Sequence, residues 1–272
     1  MPNEEWISID ESYIFRGTFM LKVWEVTKSF GGLTAVCDCS LEVKEGSITG
    51  LIGPNGAGKT TLFNIITGHY IPDRGGVVFQ GEVIHGLAPH KIFQKKIYRT
   101  FQISREFAQM TVLENLMFVP GNQIGEKIWN TWFRPSAVRK QEKDIQDKAL
   151  EVLEFVELVD LKDEYARSLS GGQKKLLELA RSMMADPKMV LLDEPGAGVN
   201  PTLMRKLIAN IRKLCEERKI TFFLIEHDMD LVMSLCNPVI VMSEGKKLAE
   251  GTPEEIKKDE RVLEAYLGGQ YR

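Results

Sequence analysis

The sequence predicts an α/β fold: a mainly parallel sheet covered by helices, interrupted by a helical insertion and preceded by a strand-rich stretch. Three observations predict it. A glycine-rich loop, Gly53-Pro54-Asn55-Gly56-Ala57-Gly58-Lys59-Thr60-Thr61, stands between a short apolar strand and an apolar helix. From Lys188 to Met242 strands and helices alternate, which implies parallel strands with helices on both faces. Between them, from Pro89 to about Ala185, the chain reads as mostly helical.

Bulk properties set the bounds. The chain has 272 residues, 43% hydrophobic and 27% charged, an ordinary globular composition. Its net charge of −3 argues against a dedicated nucleic-acid binder. No apolar run approaches the roughly 20 residues that span a bilayer. The acids Glu4, Glu5, Asp10 and Glu11 near the start do not fit a secretory leader. Cys37, Cys39, Cys215 and Cys236 match no zinc spacing and read as reduced, packed thiols of a cytosolic protein.

Taken in order, residues 1–19 show no clear period and read as an extension outside the core. Alternation begins with Leu21-Lys22-Val23-Trp24-Glu25-Val26. Gly31-Gly32, Glu45-Gly46, Arg74-Gly75-Gly76 and Gln80-Gly81 punctuate short strands, and the last predicts a hairpin. Ser47 to Ile52 is a strand entering the glycine-rich loop, and Leu62 to Ile66 a helix leaving it. Ile145, Ala149, Val152, Leu153 and Val156 recur at helical spacing. Asp186-Pro187 ends the helical stretch. A strand at Lys188–Asp193, a helix near Leu203–Arg218, a strand at Ile220–Ile225, a helix at Met229–Leu235 and a strand at Val239–Met242 follow.

The loop fits G-x-x-x-x-G-K-[ST]. Its glycines let the backbone turn N–H groups inward as a nest for anionic oxygens. The helix behind adds its positive end. Lys59 brings a charge to the β- and γ-phosphates, and Thr60 a hydroxyl for Mg²⁺. The loop indicates a nucleoside triphosphate without saying what its energy drives.

Other residues carry chemistry. Phe30 could stack on a flat base, although a core phenylalanine explains it as well. Gln102, in Arg99-Thr100-Phe101-Gln102, could reach Mg²⁺ or an attacking water, or be a solvated polar residue. Leu169-Ser170-Gly171-Gly172-Gln173 opens a helix. Ser170 and Gln173 form a capping-box pattern, but capping does not explain the paired glycines, which leave N–H groups bare for a phosphate. Met189 to Leu192 lead apolar into Asp193 and Glu194. Asp193 at a strand end suits Mg²⁺ coordination, and Glu194 suits a general base toward water. Asn200-Pro201 is a helix opening. His227 could donate to a γ-phosphate, and its case rests on its company.

Phosphate loop, glutamine, Leu-Ser-Gly-Gly-Gln, strand-end Asp-Glu and histidine, in this order, resemble the ATP-binding cassette of ABC transporters over Leu21 to about Gly268. The resemblance implies an ABC ATPase domain over residues 20–268. It comprises a RecA-like core with an antiparallel β subdomain (about 20–100 and 186–250), a helical subdomain (about 101–185) and a helical end (251–268), with a tail at 269–272. It implies ATP and Mg²⁺. Phe30 would stack on adenine, and Gly53 to Thr61 would bind phosphates. Gln102 would link Mg²⁺ and the γ-phosphate to the membrane partner. Ser170, Gly171, Gly172 and Gln173 would close on the ATP of a second cassette, head to tail. Asp193 would coordinate metal, Glu194 would be the catalytic base and His227 the switch histidine. The family usually has Asp where this chain has Asn200.

A narrower resemblance rests on Arg99-Thr100-Phe101-Gln102, Phe107, Met110-Thr111-Val112-Leu113-Glu114-Asn115, Ile225-Glu226-His227-Asp228-Met229, Gly251-Thr252-Pro253-Glu254-Glu255-Ile256 and Ala265-Tyr266-Leu267-Gly268. These look like the LivG-type ATPases of branched-chain amino acid importers. Gly121 to Arg139, with Trp129, Trp132 and Phe133, sits where that group carries an insertion and reads as a packed or partner-facing surface loop. The implied setting is cytoplasmic, peripheral on the inner face of the membrane. The implied partners are permease subunits, a paralogous cassette and, indirectly, a solute-binding protein. Urea or short-chain amide importers and lipopolysaccharide-type exporters are the cousins. A soluble ABC ATPase acting on DNA or ribosomes is the rival class.

Overall fold

A computed structural model describes residues 19–100, 106–121, 123–126 and 128–268. The expected N-terminal extension, except Phe19, lies outside the described residues, as do Gln102 and the tail at 269–272. The chain forms two compact units, Met1–Lys95 with Lys219–Arg272, and Lys96–Arg218.

The first unit begins with β1 (Phe19–Phe30) and β2 (Leu33–Lys44), an antiparallel pair in which Leu21 faces Val43 and Val23 faces Leu41. Period-two alternation buries Leu21 and Val23 from one strand and Cys39, Leu41 and Val43 from the other, and a register shift after Val23 turns Val26 inward as well. Next come β3 (Ile48–Ile52), α1 (Lys59–Ile66), β4 (Arg74–Phe79), β5 (Glu82–Val83) and α2 (Pro89–Gln94). β4 pairs with the free side of β1. The hairpin expected at Gly81 is present: Phe79 faces Glu82 across Gln80 and Gly81, with φ of 48° and 78°. Two consecutive positive φ values give the turn whose twist matches the strands.

The second unit holds β6 (Ile97–Arg99), α3 (Val112–Met117), α4 (Ile128–Phe133), α5 (Pro135–Phe155), α6 (Gly171–Met184), β7 (Met189–Asp193) and α7 (Pro201–Arg218). β6 runs parallel to β7. Thr111 and Glu114 cap α3 with a reciprocal box. Of the apolar positions read from the sequence, Ala149, Val152, Leu153 and Val156 are buried and Ile145 is half-buried. The same face of α5 packs on α3 and α6. Asn115, fully buried, accepts from the Phe107 N–H at 2.8 Å and donates to its carbonyl at 3.0 Å. One side chain thus replaces both hydrogen bonds a strand partner would give that residue.

The chain then returns to the first unit with β8 (Thr221–Ile225), α8 (Met229–Leu235), β9 (Val239–Ser243), β10 (Lys246–Gly251), α9 (Pro253–Lys258) and α10 (Glu260–Gly268). β3 lies between β8 and β9 and is parallel to both. Buried on both faces, these strands are nearly continuous apolar runs, as parallel strands are. Phe63 of α1 packs on Phe223 of β8 with centroids 5.1 Å apart. β10 pairs antiparallel with β9 and was not anticipated: of Lys246-Lys247-Leu248-Ala249-Glu250 only Ala249 is buried, so an edge strand leaves no hydrophobic period.

Candidate nucleotide site

In the first unit the loop leaves β3 and enters α1 at Gly58. Two of its glycines are obligatory. At Gly53, φ is 147° and a Cβ would lie 2.0 Å from the Met242 carbonyl oxygen; at Gly58, φ is 96° and a Cβ would lie 2.3 Å from that of Ala35. Both obstacles are backbone. The loop is therefore clamped between β9 and β2, and the Gly245 N–H holds the Ala57 carbonyl at 3.2 Å. α1 has no side-chain cap, unlike α3, α6, α8 and α9. Its first N–H groups point into the loop's concavity, the arrangement that binds phosphate. Lys59 is only 5% exposed, and its Nζ donates to the carbonyls of Gly53 at 2.7 Å and Pro54 at 2.9 Å. Thr60 is exposed on the first turn, and Asn55 and Gly56 form the exposed crest.

Phe30 is not a core residue. It ends β1 with 42% exposure, edge-on to Tyr70 at 5.1 Å and under the Lys28 ammonium at 5.6 Å. Tyr70 carried no motif, yet its edge contact sets the tilt of the Phe30 ring. β8 runs parallel to β3 with Ile225 opposite Leu51, so His227, exposed just beyond β8, leaves the sheet at the same end as the loop. The buried Glu226 carboxylate accepts from the His227 N–H at 3.0 Å and the Asp228 N–H at 3.4 Å. Asp228 then caps α8, accepting from Asp230 and Leu231. Two acids shape the turn that presents the imidazole. Tyr266 of α10 was also missed as a site neighbour. Its hydroxyl is buried beside the Gly53 N–H, without a hydrogen bond of normal geometry to any described residue. Burial pushes the pKa of its phenol up, and the Gly53 N–H pulls it the other way.

In the second unit β7 is buried along its whole length and ends at Asp193, 5% exposed. The Asp193 N–H donates to the Thr100 hydroxyl at 3.3 Å, and its Oδ2 accepts from Arg99 at 2.9 Å. Arg99 is an ion-pair partner of Asp193 that its motif did not reveal. Glu194 follows with a half-buried side chain and φ of 49°. The capping box at α6 is as expected: Ser170 accepts from the Gln173 N–H at 3.4 Å, and Gln173 Oε1 from the Ser170 N–H at 2.8 Å. The paired glycines differ. A Cβ on the buried Gly172 would meet Leu203 of α7 at 2.4 Å, whereas the exposed Gly171 has nothing nearer than 3.6 Å. Gly172 is explained by packing inside the unit; Gly171 is not. Asn200 accepts from the Leu203 N–H at 3.0 Å, so the cap survives where the family has Asp.

A uncapped helix start behind a glycine clamp with a buried lysine defines a P-loop nucleotide-binding protein. The chain belongs to the ABC transporter family, as an ATP-binding subunit that hydrolyses ATP to drive transport. The ABC transporter family pattern matches residues 36–197, and that of the branched-chain amino acid ATP-binding cassette transporters matches residues 246–272. The chain is 43% identical over 249 residues to the high-affinity branched-chain amino acid transport ATP-binding protein BraF of Pseudomonas aeruginosa, covering 92% of this chain and 98% of that one. It is 38% identical to LivG of Escherichia coli over the same shares. A nucleotide-free ATP-binding cassette from an ABC transporter superposes with TM-score 0.79 at 39% identity, covering 91% of this chain and 98% of that one. The ADP conformation of an ATP-binding cassette of an ABC transporter gives 0.78 at 36% identity, covering 93% of this chain and 100% of that one. No described helix is long and apolar enough to cross a membrane.

Proposed function

We propose that this chain energises the import of branched-chain amino acids, acting on the inner face of the cell membrane with permease subunits and a second, paralogous cassette. The observation that carries the substrate class is the match of residues 246–272 to the branched-chain cassette pattern, joined to the relatives' transport names. A dimeric cassette bound to ADP and phosphate, 26% identical with TM-score 0.71 over 86% of this chain and 99% of that one, supports the paired arrangement. The same reading keeps one ABC ATPase domain over residues 20–268.

Each residue then has a role. Phe30 stacks on adenine. The N–H groups of Gly53 to Thr61, with Lys59, hold the phosphates and take up the negative charge that develops during transfer. The oxygens of Thr60 and Asp193 are the hard donors that suit Mg²⁺, which holds few protein ligands alongside substrate phosphates; when bound it neutralises phosphate charge. Gln102, outside the described residues, would link the metal and the γ-phosphate to the permease. Glu194 accepts the proton of the attacking water, giving ADP and phosphate. His227 donates to the γ-phosphate. Ser170, Gly171, Gly172 and Gln173 face the partner's ATP, and the exposure of Gly171, where a Cβ would meet nothing nearer than 3.6 Å, supports close approach from outside.

The test is affinity purification of tagged Glu194→Gln protein with ATP from solubilised source membranes. The reading expects permeases, a second cassette and an associated solute-binding protein that takes leucine, isoleucine or valine. Ribosomes or DNA-bound proteins without permeases would overturn the transport role. A solute-binding protein that takes urea or an amide would overturn the substrate class alone.

A further inference from the structure

Within the second unit, α4 carries three large aromatic side chains that the unit does not cover. Trp129 is 70%, Trp132 80% and Phe133 74% exposed. The Trp129 and Phe133 rings stack, with centroids 6.2 Å apart and planes at 19°, so two of the three form one apolar face. The helix is held in place from beneath. The Asn130 amide donates to the Ile124 carbonyl at 3.0 Å, and Gln141 of α5 accepts from the Ile124 N–H at 2.6 Å. The Arg134 N–H bonds the Asn130 carbonyl at 2.8 Å.

The stretch of sequence between the acids Glu126 and Asp144, which carries the rings near its start, is one-sided in charge. From residue 129 to 143 there are four cations, Arg134, Arg139, Lys140 and Lys143, against one acid, Glu142, in a chain whose net charge is −3. All four cations are exposed. Two of them, Arg139 and Lys143, also line a cleft of about 360 Å³ with Gln123, Gln146 and Glu142.

We infer that the α4 aromatics and the basic start of α5 form a membrane-interface anchor that seats on the headgroup layer of an anionic bilayer. Tryptophan and phenylalanine above arginine and lysine is the composition of interfacial segments. The rings enter the headgroup–acyl boundary while the cations stay with lipid phosphates. The exposed cations that follow the rings in sequence are complementary in charge to lipid phosphates. The rings also stand out from the surface rather than lining a groove. The anchor needs no transporter partner, so it stands or falls independently of the transport assignment.

The experiment is sedimentation of the full-length protein with phosphatidylglycerol–phosphatidylcholine vesicles, against vesicles of phosphatidylcholine alone, with tryptophan fluorescence read in parallel. The native chain should bind the anionic vesicles, shift its emission to the blue, and release at high salt as screening shortens. A Trp129→Ser/Trp132→Ser/Phe133→Ser variant and an Arg134→Gln/Arg139→Gln/Lys140→Gln/Lys143→Gln variant should each bind at least about tenfold more weakly. Both should keep native circular dichroism and ATP binding. The two variants change different exposed side chains, so a folding defect in one leaves the other as the test. Equal binding by native and variant proteins would overturn the proposal. So would self-association through α4, or loss of permease recovery with vesicle binding unchanged.

Discussion

The guanidinium of Arg99 grips the carboxylate of Asp193: Nη2 donates to Oδ2 at 2.9 Å, and each side chain is only 7% exposed. β6 runs beside β7 with Arg99 opposite Leu191, which brings the two charges together at the strand ends. Removing one partner leaves the other buried and uncompensated. Arg99→Met should therefore cost on the order of 3–5 kcal/mol, read by urea unfolding of the ligand-free chain. A loss within about 0.5 kcal/mol, the range of an ordinary surface change, would show that the pair contributes little.

Glu194→Gln keeps size and hydrogen bonding but cannot take a proton at neutral pH. ATP binding should stay near native while turnover falls by roughly 10²–10⁴, measured by phosphate release and nucleotide titration on one preparation. Near-native turnover would remove Glu194 from the base role. Lys59→Ala should act on binding instead, because Nζ sits inside the loop against the carbonyls of Gly53 and Pro54. Unchanged ATP affinity in that variant would count against the phosphate role of the loop.

The paired glycines Gly171 and Gly172 should part company. Gly172→Ala pushes into Leu203 and should destabilise by about 1–3 kcal/mol, and Leu203→Ala in the same chain should recover part of that. Gly171→Ala has room and should leave stability within about 0.5 kcal/mol, yet lower turnover in the assembled transporter. Full transport activity with Gly171→Ala would mean that nothing approaches that backbone closely.

The thiols make a pH prediction. Burial pushes Cys39 up to about 11 and Cys236 up to about 12, from an ordinary 9.0. Cys215 is buried and Cys37 half-buried. The thiolate is the reactive form, so Ellman's reagent at pH 8 should label Cys37 alone, and all four after urea. Unfolded thiols lose their protons near 9, while the folded ones keep theirs to about 11 and 12. Above pH 9 the folded state thus binds more protons, and this contribution to stability is lost as pH rises through that window. Rapid labelling of Cys236 in the native chain would contradict its burial.

Local chemistry was legible from the sequence where one residue type is demanded by one geometry. The Gln80-Gly81 turn, the Ser170–Gln173 box and the Asn200 cap are fixed by neighbours a few residues away, and each stands as read. The apolar strands β3, β7, β8 and β9 were equally visible, because burial on both faces leaves unbroken hydrophobic runs. What stayed hidden depends on partners far along the chain. Arg99 meets Asp193 across 94 positions, and Tyr266 reaches the Gly53 neighbourhood from the far end of the sequence. No local pattern encodes those meetings. Phe30 was ambiguous for a related reason: only the fold decides whether an aromatic at a strand end points inward, and here it stays exposed beside Tyr70.

Glu194 occupies the left-handed region, φ 49°, which costs an ordinary side chain roughly 1–2 kcal/mol. Glycine would sit there without penalty, but glycine has no carboxylate. The residue proposed to draw the proton from water is therefore also a small spring, wound by the turn that follows β7. A Glu194→Gly chain should melt higher than a Glu194→Ala chain while being just as inert toward ATP. On the proposed role, durability and turnover compete for this one position, and a strained carboxylate stands where an unstrained glycine would serve stability better.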